Sequence, residues 1–478
     1  MSGMDRRSFL KKGALAGAAF STFAVGSSGR VLGANDRIRV AVAGIHGRGR
    51  SHMNAFAGMD GVEVSHLVDP DSNLFDSRSK QVKEKGGNTP KCVQDIREVL
   101  DDDSVDVVSI ATCNHWHSLM TVWACQAGKD VYVEKPMSHN VFEGRQAVEA
   151  ARKYDCIVQH GTQSRSSGGH AKEAAAARSG KYGKLLVAKG YCCKPRWSIG
   201  FDKQEAPPAH LDWDLWLGPA PWQDYHGNYV HYDWHWFWDT GNGDVGNQGV
   251  HEMDKARWAL GKTLPKKVWA VGGRFGYVDQ GETPNTQLAV FDYGDQLLVF
   301  ETRGLVGGES KMGRKVDNEY YTTEGMIAHG KFHPKGGGDP EPLGDFDIDI
   351  DPGSHFGNFM EAVRENDRSA LNAEIEEGHY SSALCHLGNI SYMLGEQVPF
   401  SEMPTRSLDN DVVEKSWETI KKNLGWGVGL DLNKMTCQVG PTLTFDADHE
   451  RFVGRDAKRA NLLLTRPYRE PFVVPEKV

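Results

Sequence analysis

The stretch "RIRVAVAGIHGRGRSHMNAFAG", residues 37–58, limits the fold more than any other part of the chain. A short β-branched run (Ile38, Val40, Val42) leads straight into the turn Gly44-Ile45-His46-Gly47-Arg48-Gly49, and a helix-like pattern runs from about 48 to 58. A strand that ends in a glycine turn and opens a helix is a phosphate cradle. Glycine lets the backbone turn tightly and approach a pyrophosphate, whose charge then sits at the helix N-terminus. The spacing follows G-x-G-x-x-G, with His46 where the second glycine is expected and Gly47 beside it. Asp69 lies twenty residues past Gly49, at the end of the strand-like run "VEVSHLVDPD". A carboxylate there accepts hydrogen bonds from a ribose. It also repels a 2′-phosphate, so the expected cofactor is NAD rather than NADP.

The next hundred residues repeat the pattern. "VDVVSIAT" (105–112), "DVYVEK" (130–135) and "CIVQHG" (156–161) read as strands, and "HSLMTVWACQAG" and "VFEGRQAVEAARKY" as helices. Short apolar strands alternating with helices predict a parallel sheet covered on both faces, a Rossmann-type domain over residues 36–160. Ligands bind at the carboxyl edge of such sheets. Thr112-Cys113-Asn114-His115-Trp116-His117 and Glu134-Lys135-Pro136 both fall at that edge. Pro136 stops the strand, and Lys135 is expected to face the cofactor rather than bulk water. His117 caps a helix or touches the nicotinamide side. The expected cofactor set is residues 44–49, Asp69, Thr112, Asn114, His117, Glu134, Lys135 and, past the last strand, Gln163.

From 161 to about 400 the strands lengthen and are joined by turns: "LLVAKGYCC", "KVWAVGGRFGYV", "TQLAVFDYG", "QLLVFETRG". They predict a second α/β domain with a large, mainly antiparallel open sheet. "NQGVHEMDKARWALG" reads as a helix with Asn247, His251 and Asp254 nearly on one face. Residues 211–238 hold six tryptophans, and "HYDWHWFWD" adds histidine and tyrosine. Aromatic faces stack on the C–H surfaces of sugar rings. His231, Tyr232, Trp234 and His235 are therefore expected to reach a carbohydrate. No acid or cysteine completes a metal set with these histidines, and none is expected. "HPKGGGDPEPLGDFDIDIDPG" reads as an acidic loop, and residues 401–478 as a segment that wraps the domain. Eight cysteines are scattered without a C-x-x-C; Cys113 and Cys125 read as buried.

At this point the chain resembles the Gfo/Idh/MocA oxidoreductase superfamily. The family's T-P-x-x-x-H pattern matches residues 112–117 with Cys113 in place of proline, and its E-K-P motif matches Glu134-Lys135-Pro136. Its second-domain pattern G-G-G-x-x-x-D-x-G-x-H-x-x-D matches "GNGDVGNQGVHEMD", keeping Gly249, His251 and Asp254. "DWDLWLGPAP" and "CHLGNISYMLG" resemble an exported subgroup of bacteria that degrade polysaccharides. The resemblance implies a Rossmann domain followed by a sheet domain that carries substrate and oligomer contacts, as a homodimer or homotetramer. It also implies Lys135, His251 and the residue at 247 as catalytic groups that touch substrate. The family's usual aspartate is Asn247 here, which can hydrogen-bond but not carry charge.

The N-terminus "MDRRSFLKKGALAGAAFSTFAVG" has the order of a twin-arginine export signal: Arg6-Arg7, Phe9-Leu10, then a mild Ala/Gly-rich run. A signal over residues 1–34 implies a periplasmic protein that folds, and takes up its cofactor, before export. Residues 1–34 carry five bases and one acid, so without them the net charge falls from −9 to −13. Such an acidic protein is a poor partner for nucleic acid or anionic membranes. No apolar run reaches the ~18–20 residues of a membrane span. The expected activity is oxidoreduction at a sugar or glycoside CH–OH with tightly held NAD. One alternative is a redox-neutral glycosidase or lyase like the superfamily's NAD-dependent glycosidases, in which the E-K-P lysine is often missing. The other is a non-catalytic sugar-binding protein.

Overall fold

A computed structural model describes residues 37–350, 352–402 and 410–478; the proposed export signal lies outside the described residues. The first sheet has six strands: β1 (Ile38–Ala43), β2 (Val62–Val68), β3 (Lys91–Val93), β4 (Val107–Ile110), β5 (Asp130–Val133) and β6 (Val158–His160). Their order is β3-β2-β1-β4-β5-β6, and every pairing is parallel. The order in which strands are added reverses between β1 and β4, which opens a crevice at their carboxyl ends. Nearly every β1 and β4 residue is buried, as expected of strands covered on both faces.

The connecting helices are α1 (Gly49–Ala57), α2 (Phe75–Gly86), α3 (Asn114–Gln126) and α4 (Val141–Lys153). The sequence reading missed α2 and β3. Helix α2 has only Val82 buried, so its apolar stripe is faint, and β3 is three residues long. Helix α4 starts where Asn140 accepts from the Glu143 backbone N–H. One face of the sheet packs on α3 and α4, joined by Phe472 and Val474 near the end of the chain. The other packs on α1 and on Phe359, Met360 and Val363 of a much later helix. The nucleotide sheet is therefore completed by residues from far along the sequence.

After α5 (Gly168–Arg178) comes the second sheet: β7 (Leu185–Cys193), β8 (Lys267–Gly273), β9 (Thr286–Asp292), β10 (Leu297–Arg303), β11 (Lys315–Thr322), β12 (Gly325–Ala328), β13 (Lys331–Pro334) and β14 (Glu341–Pro342), with β15 (Glu396–Pro399), β16 (Thr436–Val439), β17 (Leu443–Asp446) and β18 (Arg451–Val453) added at one edge. All its pairings are antiparallel except β7 with β10. A short helix α6 (Trp213–Leu217) lies in the aromatic stretch, and α7 (Val250–Leu260) carries His251. Helix α8 (His355–Glu365) is the one that returns to the first sheet, and α9 (Ile375–Met393) follows. Helices α5, α7 and α9 bury one face of the second sheet.

On the opposite face α10 (Asp411–Lys422) sets Val413, Trp417 and Ile420 against Trp269, Val271 and Val299. The tail thus adds strands and a covering helix as well as wrapping. Of the two cysteines read as buried, Cys125 is and Cys113 is half-buried; all eight are free thiols. Trp417 stacks on Phe400 at 5.6 Å and is almost fully buried. Trp417→Ala should cost about 3–5 kcal/mol in urea unfolding, the usual range for emptying a large aromatic site.

Candidate functional site

The glycine turn has its shape for steric reasons. Gly44 has φ +78°, and a Cβ there would lie 2.5 Å from the Ala111 carbonyl oxygen. A Cβ on Gly49 would lie 1.8 Å from the Gly44 oxygen. Neither position tolerates a side chain. Gly47 has open space in front of it, and no side chain caps the N-terminus of α1. These are the features an incoming pyrophosphate needs. At the end of β2, Asp69 accepts from the Ile45 N–H at 2.9 Å and the Asp71 N–H at 3.0 Å, so it braces the turn. Each carboxylate oxygen keeps a further lone pair for a ribose hydroxyl. Burial pushes the Asp69 pKa up to about 6, with the two backbone donors opposing.

This crevice belongs to a cleft of about 490 Å³. Of the residues expected in the cofactor and substrate sets, all line it except Ile45 and Gly49. Those two form the turn from behind: Ile45 is fully buried, and Gly49 lies beneath Gly44. Gln94, Ile96, Trp116, Met120, Leu215 and Trp216 also line the cleft, without having been expected there. The β3 loop that supplies Gln94 and Ile96 has no periodic signal. Trp216 reads as one aromatic among many.

The cleft also holds ionisable groups. Glu134, fully buried, accepts from Arg48 Nε at 2.6 Å and Gln163 Nε2 at 3.1 Å, and pairs with His52 Nε2 at 3.2 Å. Burial would raise its pKa, but the His52 hydrogen bond and the Arg48 charge override it and hold the carboxyl well below its usual range. Lys135 Nζ donates to the backbone and side-chain oxygens of Asn247, the latter at 3.3 Å. Burial lowers the Lys135 pKa; Glu134 opposes and Arg48 adds to the lowering. His251 lines the same cleft, its pKa lowered to about 3 by burial and by the Lys135 charge. It is a neutral imidazole at ordinary pH.

The helical reading around Asn247 needs a correction. Residues Val245–Gly249 form a π turn, and α7 starts only at Val250. The wider turn shifts Asn247 relative to α7; Asn247 and His251 line the cleft, and Asp254, further along α7, does not. Asp254 is buried against Arg165 (Nη2 to Oδ1 2.9 Å) and accepts from Ser381 Oγ at 2.6 Å.

His117 is also less free than expected. Its ring nitrogens face the carbonyl oxygens of Pro136, at 2.5 Å, and Thr112, at 3.1 Å. It ties the two edge turns together. Asn114 donates to Asn242 Oδ1 at 3.0 Å, a link between the domains.

The aromatic run divides. Trp213, Trp216, Tyr225, Tyr229, Trp234 and Phe237 form a small core of their own. His235, held neutral by burial at about pKa 3, lines the cleft with Trp234, and Tyr232 stands half-exposed at its mouth. His231 lines the cleft but is engaged on the cofactor side: it pairs with Asp71 at 2.9 Å and stacks on His46. No cluster able to hold a metal occurs among the described residues.

A Rossmann domain with a glycine cradle, an acid at the end of β2 and a lysine at the end of β5 defines a dinucleotide-dependent class, and the residues fit NAD. The family model described as "Oxidoreductase family, NAD-binding Rossmann fold" matches residues 38–162, and its "C-terminal alpha/beta domain" partner matches 146–272. The chain belongs to the Gfo/Idh/MocA oxidoreductase family. A curated relative, glycosyl hydrolase family 109 protein 2 of Shewanella sp. (strain ANA-3), is 32% identical over 171 residues, which is 32% of this chain and 38% of the relative. The match thus spans well under half of that relative's length.

Among solved structures, GenD2 from gentamicin A biosynthesis in complex with NAD superposes with a TM-score of 0.54 at 17% identity, covering 74% of this chain and 93% of that one. Levoglucosan dehydrogenase in complex with NADH gives 0.51 at 17%, covering 74% and 96%. Both share the fold.

The raised Asp69 pKa gives a pH expectation. The ionised carboxylate is the better acceptor for ribose hydroxyls, and it protonates as pH falls through about 6. NAD affinity measured by calorimetry should weaken between pH 7 and pH 5. Asp69→Asn should bind more weakly and lose most of that pH dependence.

Proposed function

We propose that the protein oxidises or reduces a sugar or glycoside at a CH–OH carbon, with NAD held in the cleft. The observation that carries this reading is Lys135: its ammonium, with a lowered pKa, opens into the same cleft as the glycine cradle and His251. When bound, NAD supplies the hydride acceptor or donor. Lys135 in its amine form accepts the hydroxyl proton at Nζ, and its lowered pKa brings that form closer to working pH. Asn247 holds Nζ by two oxygens and thereby aims it; lacking a titrating group, it passes no proton on. His251 is neutral, so it orients a substrate hydroxyl as donor or acceptor and does not store a proton as imidazolium. Tyr232, half-exposed, offers its ring face to a pyranose, and Trp234 lines the cleft beside His235.

The twin-arginine motif supports a periplasmic location, and with it a retained cofactor and a redox-neutral cycle, because free NAD is scarce outside the cytoplasm. A second reading draws on the family 109 relative. In it the protein transiently oxidises a glycoside, cleaves it and returns the hydride. Lys135 favours net oxidoreduction. Screening a glycoside panel for keto products against cleaved products separates the two.

Lys135→Met should lower turnover at saturating NAD and substrate about 10²–10⁴-fold, the usual contribution of a positioned base, while NAD still binds. Unchanged saturated turnover with a raised NAD dissociation constant would make Lys135 a cofactor contact and overturn its role as base. Failure to exchange any substrate C–H with deuterium would favour a non-catalytic sugar binder.

A further inference from the structure

We infer that the segment around residues 208–235 is a strap that retains the nucleotide, with His231 as its latch. This rests on the cleft being an NAD site and is independent of the sugar chemistry.

The segment is fastened on both banks of the nucleotide crevice. On the β2 bank, Ser72 N donates to His210 O at 3.0 Å, Asp212 N donates to Pro70 O at 2.9 Å, and Asp71 and Leu211 form an isolated β-bridge. On the α3 bank, Trp116 Nε1 donates to the backbone oxygens of Leu215, at 3.0 Å, and Trp216, at 3.2 Å. Leu215 and Trp216, whose backbone oxygens take the Trp116 bond, line the cleft together with Gln94 and Ile96. Trp216 is stiffened by stacking on Trp213 at 4.7 Å. The end of the crevice nearest Asp69 is therefore roofed by protein from the second domain.

The roof closes over the glycine turn through two histidines. Asp71, buried, pairs through Oδ1 with His210 Nδ1 at 2.7 Å and through Oδ2 with His231 Nε2 at 2.9 Å. His231 then lies flat on His46, ring centres 4.3 Å apart and planes 8° from parallel. His46 stands where the fingerprint has its second glycine. The departure from G-x-G-x-x-G thus supplies the platform on which the strap rests. His46 is exposed and His231 partly so, while the tryptophan anchors are buried. The histidine stack is the contact that opens most easily, and breaking it uncovers the turn. Differences of this kind act mainly on dissociation rates.

The test follows nucleotide exchange. The purified full-length protein is loaded with adenine-labelled NAD and chased with unlabelled NAD. Wild type should release label over hours. His231→Ala and Asp71→Asn should each release it about tenfold faster or more. The double variant should be little faster than either single one, because the two residues act as one unit. Should Asp71→Asn fail to fold by circular dichroism, His231→Asn and His210→Ala carry the same test. Folded variants that release label at the wild-type rate would overturn the proposal, as would a wild type that exchanges as fast as they do. Faster release in the variants without substrate C–H exchange sinks the sugar reading and leaves this one standing; C–H exchange with unchanged release does the reverse.

Discussion

A single ammonium group joins the two halves of the site. Lys135 ends a strand of the nucleotide sheet, yet its Nζ is held by the backbone and side chain of Asn247 in the π turn before α7. A lysine with little water around it needs acceptors. Here they come from the other domain, so the position of the ammonium reports the closure of the cleft. The Asn114 to Asn242 bond reinforces the same junction, and His117 ties together the two edge turns of the nucleotide sheet beside it. If the domains moved apart, Lys135 would lose its acceptors and regain water, and its lowered pKa would relax.

Around that cation the site is electrically quiet. His235 and His251 are held neutral, and Glu134 is neutralised by Arg48. The carboxylates Asp69 and Asp95 lie elsewhere along the cleft, toward the ends of β2 and β3. A substrate entering past Tyr232 therefore meets one titratable positive charge and several neutral hydrogen-bonding rings. That pattern suits polyhydroxylated, uncharged molecules, whose hydroxyls need orientation more than charge neutralisation.

The nucleotide half was largely legible because its signals are local. The β-branched runs, the glycine turn and the acid twenty residues on lie within one βαβ unit, and each has a steric or electrostatic reason. The lysine and histidine were legible through motif resemblance. What was hidden depends on contacts between distant residues. Glu134 meets Arg48 across 86 positions and Asp71 meets His231 across 160, and no periodicity records either pair. The π turn escaped notice because its residues read as ordinary helix. The aromatic run misled in part: most of its rings pack on one another, since a long insertion with few strands must build its own core before it can present a surface.

The return of α8 to the first sheet, and of Phe472 and Val474 to its other face, bears on how the molecule comes into being. A ribosome delivers the glycine cradle early, but the apolar faces around it wait for residues made hundreds of codons later. The apolar faces of the nucleotide half stay uncovered until those residues are made. Firm capture of a cofactor accordingly follows the synthesis of residues 359–363 and 472–474.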